Sequence, residues 1–256
     1  MSIKTINYTM KRILFFFFTA TLFSLTNTQA QCDLFFAGYA EGSSNNKFLE
    51  IYNPTSSDIS LDGYAFPSVS NAPTTPGVHE YWNTFEAGAV VAAGDVYIIA
   101  HGSADPLILA EADQFHTYLS NGDDGYALVQ GGEEDYVILD MIGTWEADPG
   151  SGWEVAGVAD GTKEHSLIRK SDVSSGNGGD WASSAGTNAD DSEWIVLDQN
   201  DWTGLGFHDF TGSCGDAVPG CMNPNATNYD VTATEDDGSC AFANACNLDG
   251  IEVATS

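Results

Sequence analysis

The sequence predicts an all-β domain of the sandwich or barrel class. Between residues 33 and 210, about eight short runs rich in β-branched and aromatic residues alternate with turn signals of Gly, Asn, Asp and Pro. The same stretch offers one helix candidate, at 105–112, too little to cover the faces of a parallel α/β sheet. A chain of 256 residues suits one large or two small domains.

The strand candidates follow one another in order along the chain. Runs at 33–39 and 47–53 open the domain, and Pro54 ends the second because proline cannot donate a hydrogen bond to a ladder. Asp62-Gly63 is a turn signal before the next run. The remaining predicted strands are 64–69, 95–101, 126–130, 136–142, 165–169 and 193–197. Of these, 126–130 and 136–142 are joined by a short Gly-rich link and predict a hairpin.

The helix candidate and two long polar stretches complete this reading of the domain. Asp105 is a suitable N-cap and Pro106 suits a first helical turn, so a helix is expected from 105 to 112. The stretches 148–162 and 171–192 are rich in Gly, Ser, Asn and Asp and are predicted to be loops or surface excursions. Such loops can carry the function or be passive insertions.

The charge of the chain limits its partners. It has 37 acidic and 7 basic residues, for a formal net charge of −30. Three of the bases lie in the first 12 residues, and without them 4 bases face 37 acids, which leaves −33. Such a field repels phosphate, so we expect no nucleic-acid partner and no attraction to anionic membranes. It favours divalent or cationic partners and solubility.

The N-terminus has the pattern of a secretory signal peptide at 1–30. Lys11-Arg12 precedes an apolar run at 13–25, and Thr28-Gln29-Ala30 supplies small residues for cleavage before Gln31. The run is short for a bilayer span and no later segment approaches one, so membrane insertion is not expected. The predicted location is secreted or at the cell surface, where disulfides persist.

Five cysteines are present, and none lies between Cys32 and Cys214. The preferred pairing joins Cys32 to Cys214, across the ends of the β-domain, and Cys221 to Cys240, within the tail. Four cysteines allow three connectivities, so the sequence leaves the pairing open. Cys246 is then the odd cysteine, which indicates pairing with another chain or a shortened version of a longer protein.

The acidic tail holds a candidate calcium site. Calcium takes six to eight oxygen ligands from carboxylates, carbonyls and amides. The spacing is not that of an EF-hand. The same side chains could instead cap Asx turns in a disulfide-closed loop without an ion. The candidate ligands are Asn223, Asn225, Asp230, Asp236 and Asp237.

Catalysis is not predicted. The five histidines are scattered without metal-ligand spacing, and no Gly-x-Ser-x-Gly motif is present. His165 and His208 are interpreted as structural. Tryptophans in or near the polar loops (Trp145, Trp153 and Trp181) could form a glycan-stacking surface, or could be buried to hold the loops in place.

A series of segments along the β-domain carries a family resemblance. They are, in order, 40–53, 59–64, 92–99, 119–124 with 127–129, 140–143, 165–170, 193–194 and 204–208. Together they cover most of residues 33 to 210. In these segments the β-domain resembles the bacterial lamin-tail domains found beside secreted nucleases, and the resemblance implies an immunoglobulin-like β-sandwich.

The tail at 220–240 resembles a cysteine-bounded module of bacterial surface proteins. The predicted organisation is a signal peptide at 1–30, the lamin-tail-like sandwich at 31–212 and the acidic tail module at 213–256. The predicted function is a secreted, non-catalytic binding or adhesion module for an extracellular protein or glycan, with calcium as a candidate stabiliser. The alternatives are an accessory or orphaned part of a secreted nuclease system, and a structural spacer of a longer surface protein.

Overall fold

The computed structural model describes residues 32–212, 214, 219–231, 233 and 235–242. The predicted leader at 1–30 and Cys246 lie outside these residues. The helices are α1 (Pro106–Glu111) and α2 (Trp181–Ala185). The strands are β1 (Phe35–Glu41), β2 (Lys47–Tyr52), β3 (Ile59–Ser60), β4 (Tyr64–Ala65), β5 (Ser68–Val69), β6 (Val90–Val91), β7 (Val96–Ala100), β8 (Gln114–Phe115), β9 (Gly125–Gly132), β10 (Asp135–Ile142), β11 (His165–Arg169), β12 (Trp194–Leu197), β13 (Pro219–Gly220) and β14 (Glu235–Asp236).

Two main sheets form the β-domain, with β3 and β6 as a separate two-stranded pair, which confirms the predicted immunoglobulin-like sandwich. The first has six strands in the order β12-β11-β1-β2-β7-β8, and all its pairs are antiparallel except β7 with β8. The second has the order β10-β9-β4, with β5 also paired to β9. The predicted hairpin is β9–β10, where Tyr126 lies opposite Ile142.

The main core lies between the two sheets and follows from the two-residue period of the strands. Leu49 and Ile51 of β2 and Ile99 of β7 point inward from the first sheet. Tyr126 and Leu128 of β9 belong to the same buried cluster from the second. Because alternate side chains of one strand enter the same core, a register shift by one residue would turn them out of it.

The outer face of the first sheet is also covered. Helix α1 begins at Pro106, and the Asp105 side chain accepts a hydrogen bond from the Leu107 N–H at 2.9 Å, as the sequence predicts. Ile108 of this helix packs against the sheet. Beside it runs the segment 198–210, here called the strap, whose Trp202 and Leu205 pack on the same cluster.

The two long polar stretches are loops, as predicted, apart from the short helix α2, but each also sends side chains into the core. Val155 is fully buried in the main core, and Trp181 and Ala185 of α2 enter the same cluster. The Asp180 side chain caps α2 by accepting from the Ser183 N–H at 3.2 Å. These segments therefore complete the core between the sheets.

A buried ion pair joins the two sheets. Arg169 of β11 and Asp140 of β10 are 1% and 0% exposed, and Arg169 Nη1 lies 3.2 Å from Asp140 Oδ2. Arg169 Nη2 lies 2.9 Å from Glu193 Oε2, and its guanidinium carbon is 4.5 Å from the Trp194 ring centroid. A cation is tolerated there because carboxylates and an aromatic face replace its water.

Two disulfides have the preferred pairing. Cys32 is bonded to Cys214 and Cys221 to Cys240, with Cα–Cα distances of 5.5 Å and 4.7 Å. Disulfides are characteristic of an oxidising, extracellular environment. In the part of the chain that the structure describes, no helix is long and apolar enough to cross a membrane.

Candidate functional site

A cleft at one end of the second sheet is the candidate functional site. It has a volume of about 610 Å³, within the range of roughly 300–1,000 Å³ that is typical of small-molecule sites. We call it the tyrosine cleft. Its lining residues are Ser68, Val69, Ser70, Tyr81, Asn83, His116, Thr117, Tyr118, Leu119, Asn121, Asp124 and Tyr126.

One wall of the tyrosine cleft is built on β5. Ser68 pairs with Tyr126 of β9 on one side, and on the other it exchanges backbone hydrogen bonds of 2.9 and 3.0 Å with Tyr81. The Asn83 Nδ2 donates to the Phe66 carbonyl and to Ser68 Oγ, each at 3.0 Å. This pairing fixes the backbone of the wall and leaves the Tyr81 side chain 55% exposed.

The opposite wall is the segment from His116 to Tyr126, which is tied to the core at several points. The His116 N–H donates to the Ala100 carbonyl at 2.9 Å, and Leu119 is buried in the main core. The Tyr126 hydroxyl, from the buried floor, donates to the Tyr118 carbonyl at 2.7 Å. The backbone at Tyr118 is therefore held, while its side chain is 81% exposed.

The titratable groups of the cleft are His116 and Asp124. Burial lowers the pKa of His116, and nearby His101 acts in the same direction, so the ring is neutral at pH 7. Its edge packs on Phe66 at 5.4 Å between centroids. Burial raises the pKa of the Asp124 carboxyl, although it accepts a hydrogen bond from the Asn71 N–H at 3.0 Å.

Several polar groups of the cleft have no partner within the described chain. The Tyr81 and Tyr118 hydroxyls, the Asn121 amide and the His116 ring nitrogens make no hydrogen bond to another described residue. By contrast, exposed acids elsewhere cap local turns: Asp191, for example, accepts from the Thr187 N–H at 2.8 Å. The cleft therefore combines two exposed aromatic rings with neutral donors and acceptors that are free for a ligand.

The candidate calcium ligands of the tail serve largely in turns. Asn223 Oδ1 accepts from the Asn225 N–H at 3.0 Å, Asp236 Oδ1 from the Gly238 N–H at 3.1 Å, and Asp237 Oδ1 from the Ser239 N–H at 2.8 Å. Hydrogen bonds from Ser239 lower the pKa of Asp237.

Asp230 packs closely against Gly220. A Cβ atom added to Gly220 would lie 3.4 Å from the Asp230 Oδ2. Among the described residues no group of three His, Cys, Asp or Glu side chains is arranged to hold a metal. Calcium binding here stays a prediction. If it is right, the melting temperature of the chain rises in millimolar calcium and falls again when the calcium is chelated.

The tryptophans proposed as a glycan surface do not form one. Trp145 and Trp181 are 2% and 6% exposed, and Trp153 is half-buried. The Trp145 Nε1 donates to the Gly125 carbonyl at 3.1 Å and the Trp153 Nε1 to the Asp124 carbonyl at 3.2 Å. These rings hold loops in place, which is the alternative that the sequence left open.

The two histidines singled out in the sequence lie at different places. His165 Nδ1 is 2.7 Å from the Leu197 carbonyl of the neighbouring strand β12. His208 is in the strap, packed on the rings of Phe35 and Tyr52 at centroid distances of 5.7 and 4.9 Å. Both contacts are those of structural residues.

Sequence reasoning missed the tyrosine cleft. Tyr81 and Tyr118 are single aromatics in segments without strand or helix periodicity, and they are separated by 37 positions. The pairing of Ser68 with both Tyr81 and Tyr126 helps to bring the two segments together.

A comparison with protein-family models agrees with this architecture. Residues 27–144 match the Lamin Tail Domain family. The lamin-tail match spans the strands from β1 to β10, and therefore both walls of the tyrosine cleft. Strands β11 and β12 follow it and complete the first sheet beside β1. No curated protein matches the chain.

Proposed function

We propose that the chain is a secreted, non-catalytic binding or adhesion module that holds an extracellular ligand in the tyrosine cleft. The observation that carries this proposal is the pair of exposed rings, Tyr81 and Tyr118, at a cleft of about 610 Å³. An exposed tyrosine presents a rigid apolar face and a polar tip, the combination that is enriched at binding surfaces.

The rest of the molecule supports a rigid binding module. The cleft walls are tied to the core through Leu119 and the Tyr126 hydroxyl, so little ordering is required of their backbone when a ligand binds. The two disulfides suit an extracellular environment. The immunoglobulin-like sandwich of the lamin-tail type supports binding rather than catalysis.

The proposal is tested by ligand-observed NMR of the purified chain with a mixed panel of oligosaccharides and short peptides. The variant Tyr118→Ala removes a side chain that is 81% exposed, so the fold should be unaffected. The matched control is Phe115→Ala, because Phe115 is 61% exposed and is not part of the cleft lining.

We expect at least one compound of the panel to bind the natural chain and the Phe115→Ala control and to lose binding to Tyr118→Ala. If every compound that binds the natural chain binds Tyr118→Ala equally well, or if none binds, ligand recognition by this cleft is wrong.

A further inference from the structure

We infer that the tyrosine cleft recognises an uncharged saccharide, with a sugar ring stacked on Tyr118 and its hydroxyls bonded to the polar lining. This inference rests on the proposed function and names the ligand class of the same site. It follows from the charge of the lining, from the state of its backbone and from its unpaired polar groups.

The charge of the lining excludes acidic ligands. No lysine or arginine is among the lining residues, and Asp124 is the one acid there. Lys47 acts electrostatically on Asp124, but its Nζ donates to the Ser120 carbonyl at 2.7 Å and lies 3.4 Å from Glu41 Oε1. A carboxylate or sulfate in the cleft would lose water without gaining a counter-charge.

The backbone of the cleft excludes recognition of a peptide by strand addition. That mode requires a sheet edge with free N–H and C=O groups. At Ser68 both sides of β5 are used, by Tyr126 of β9 and by Tyr81, and the Phe66 N–H donates to the Asn83 carbonyl at 2.8 Å. Recognition therefore depends on side chains.

The side chains suit sugar hydroxyls. Each hydroxyl is both a donor and an acceptor, and the Asn121 amide, the neutral His116 ring and the tyrosine hydroxyls offer both kinds of partner. The C–H face of a sugar ring is apolar and packs on an aromatic face, which carries partial negative charge. Tyr118 provides such a face and is close to His116, with ring centroids 6.2 Å apart.

The experiment is calorimetric titration of the purified chain with neutral hexasaccharides of glucose, xylose, mannose and N-acetylglucosamine, and with oligogalacturonate and oligoglucosamine as charged counterparts. The variants are Tyr118→Ala, Tyr118→Phe and Asn121→Ala, with Phe115→Ala as the control outside the cleft. Thermal melts check that each variant is folded.

We expect one or more neutral hexasaccharides to bind the natural chain and the acidic oligogalacturonate not to bind. Tyr118→Ala should weaken binding about tenfold, because a lost stacking contact is worth roughly 1.4 kcal/mol. Tyr118→Phe keeps the ring and should stay within about threefold, and Asn121→Ala should lose a few-fold through one hydrogen bond.

The outcomes separate this inference from the proposed function. In one outcome, the acidic oligomer, the cationic oligomer or a peptide from the earlier panel binds the natural chain and loses binding to Tyr118→Ala. That result would keep the cleft as a binding site and refute the inference that its ligand is a neutral saccharide. Binding of a neutral hexasaccharide that is unchanged in Tyr118→Ala would place the sugar elsewhere and overturn this inference. The proposed function falls as well only if no other compound loses binding in Tyr118→Ala.

Discussion

Replacing Asp140 with alanine tests the claim that a buried ion pair holds the two sheets together. The Asp140 carboxylate accepts hydrogen bonds from the N–H groups of Phe36, Met141 and Asn177 at 2.8 to 2.9 Å, and it faces Arg169 at 3.2 Å. The alanine variant removes all four contacts and leaves the buried Arg169 with the partly exposed Glu193 as its remaining carboxylate partner.

The magnitude follows from the burial of the pair. Removing one partner of a buried pair costs about 3–5 kcal/mol, because the remaining charge is uncompensated. Domains of this size lose roughly 2–4 °C in melting temperature per kcal/mol, so the variant should melt roughly 6–20 °C lower. Glu193, the other carboxylate beside Arg169, has a side chain that is 37% exposed, so Glu193→Gln should cost less than about 1 kcal/mol.

The assay is urea unfolding followed by tryptophan fluorescence, since the Trp194 ring lies beside the Arg169 guanidinium. Asp135→Ala on the same strand is the control, because Asp135 is exposed, and its effect should stay within about 0.5 kcal/mol. If Asp140→Ala does not fold, Asp140→Asn replaces it, since the amide keeps one oxygen acceptor. A loss below about 1 kcal/mol for Asp140→Ala would refute the reasoning.

Two further predictions concern the pH dependence of stability, one through Glu50, which lies beneath the strap, and one through His208 of the strap itself. Burial raises the pKa of Glu50 from 4.5 to about 8, so the folded chain retains a proton that the unfolded chain loses, and stability falls as pH rises through this window. Glu50→Gln should therefore raise the free energy of unfolding at pH 8 by up to about 4 kcal/mol and change it little at pH 4.5; equal effects in melts at the two pH values would contradict this. Burial, with Arg169 nearby, lowers the pKa of His208 from 6.5 to about 4, so the unfolded chain binds the extra proton and stability is lost as pH falls through that window. When the pH is lowered from 6.5 to 4.5, the melting temperature of His208→Phe should fall less than that of the natural chain. An equal fall in the two proteins would argue against a neutral, buried His208.

The longer strands and the β9–β10 hairpin could be predicted because their signal is local. The run at 136–142 carries enough β-branched and aromatic residues to be recognised as β10, and Pro106 with Asp105 marks α1. Cys32 and Cys214 flank the sandwich at its two chain ends, so their pairing could be preferred from position alone.

The features that the sequence did not predict have a common physical cause, because each of them is determined by tertiary contacts and not by a local pattern. Helix α2 has five residues in a Gly- and Ser-rich stretch, and it forms because Trp181 and Ala185 are buried by the sandwich. Val155 likewise enters the core from a segment without periodicity. The cleft forms because Tyr81 and Tyr118, from distant segments of the chain, line the same cavity. No spacing in the sequence predicts that they do so.

The most direct test of the central claim is an amide-resolved NMR titration of the ¹⁵N-labelled chain with the neutral hexasaccharide that binds most tightly. The account predicts chemical-shift changes that saturate and that lie at the two walls of the tyrosine cleft, around Tyr81, Asn83, Tyr118, Asn121 and Asp124. Changes confined to the strap, to the tail beyond Pro219 or to the outer face of β10, with the cleft amides unmoved, would contradict it.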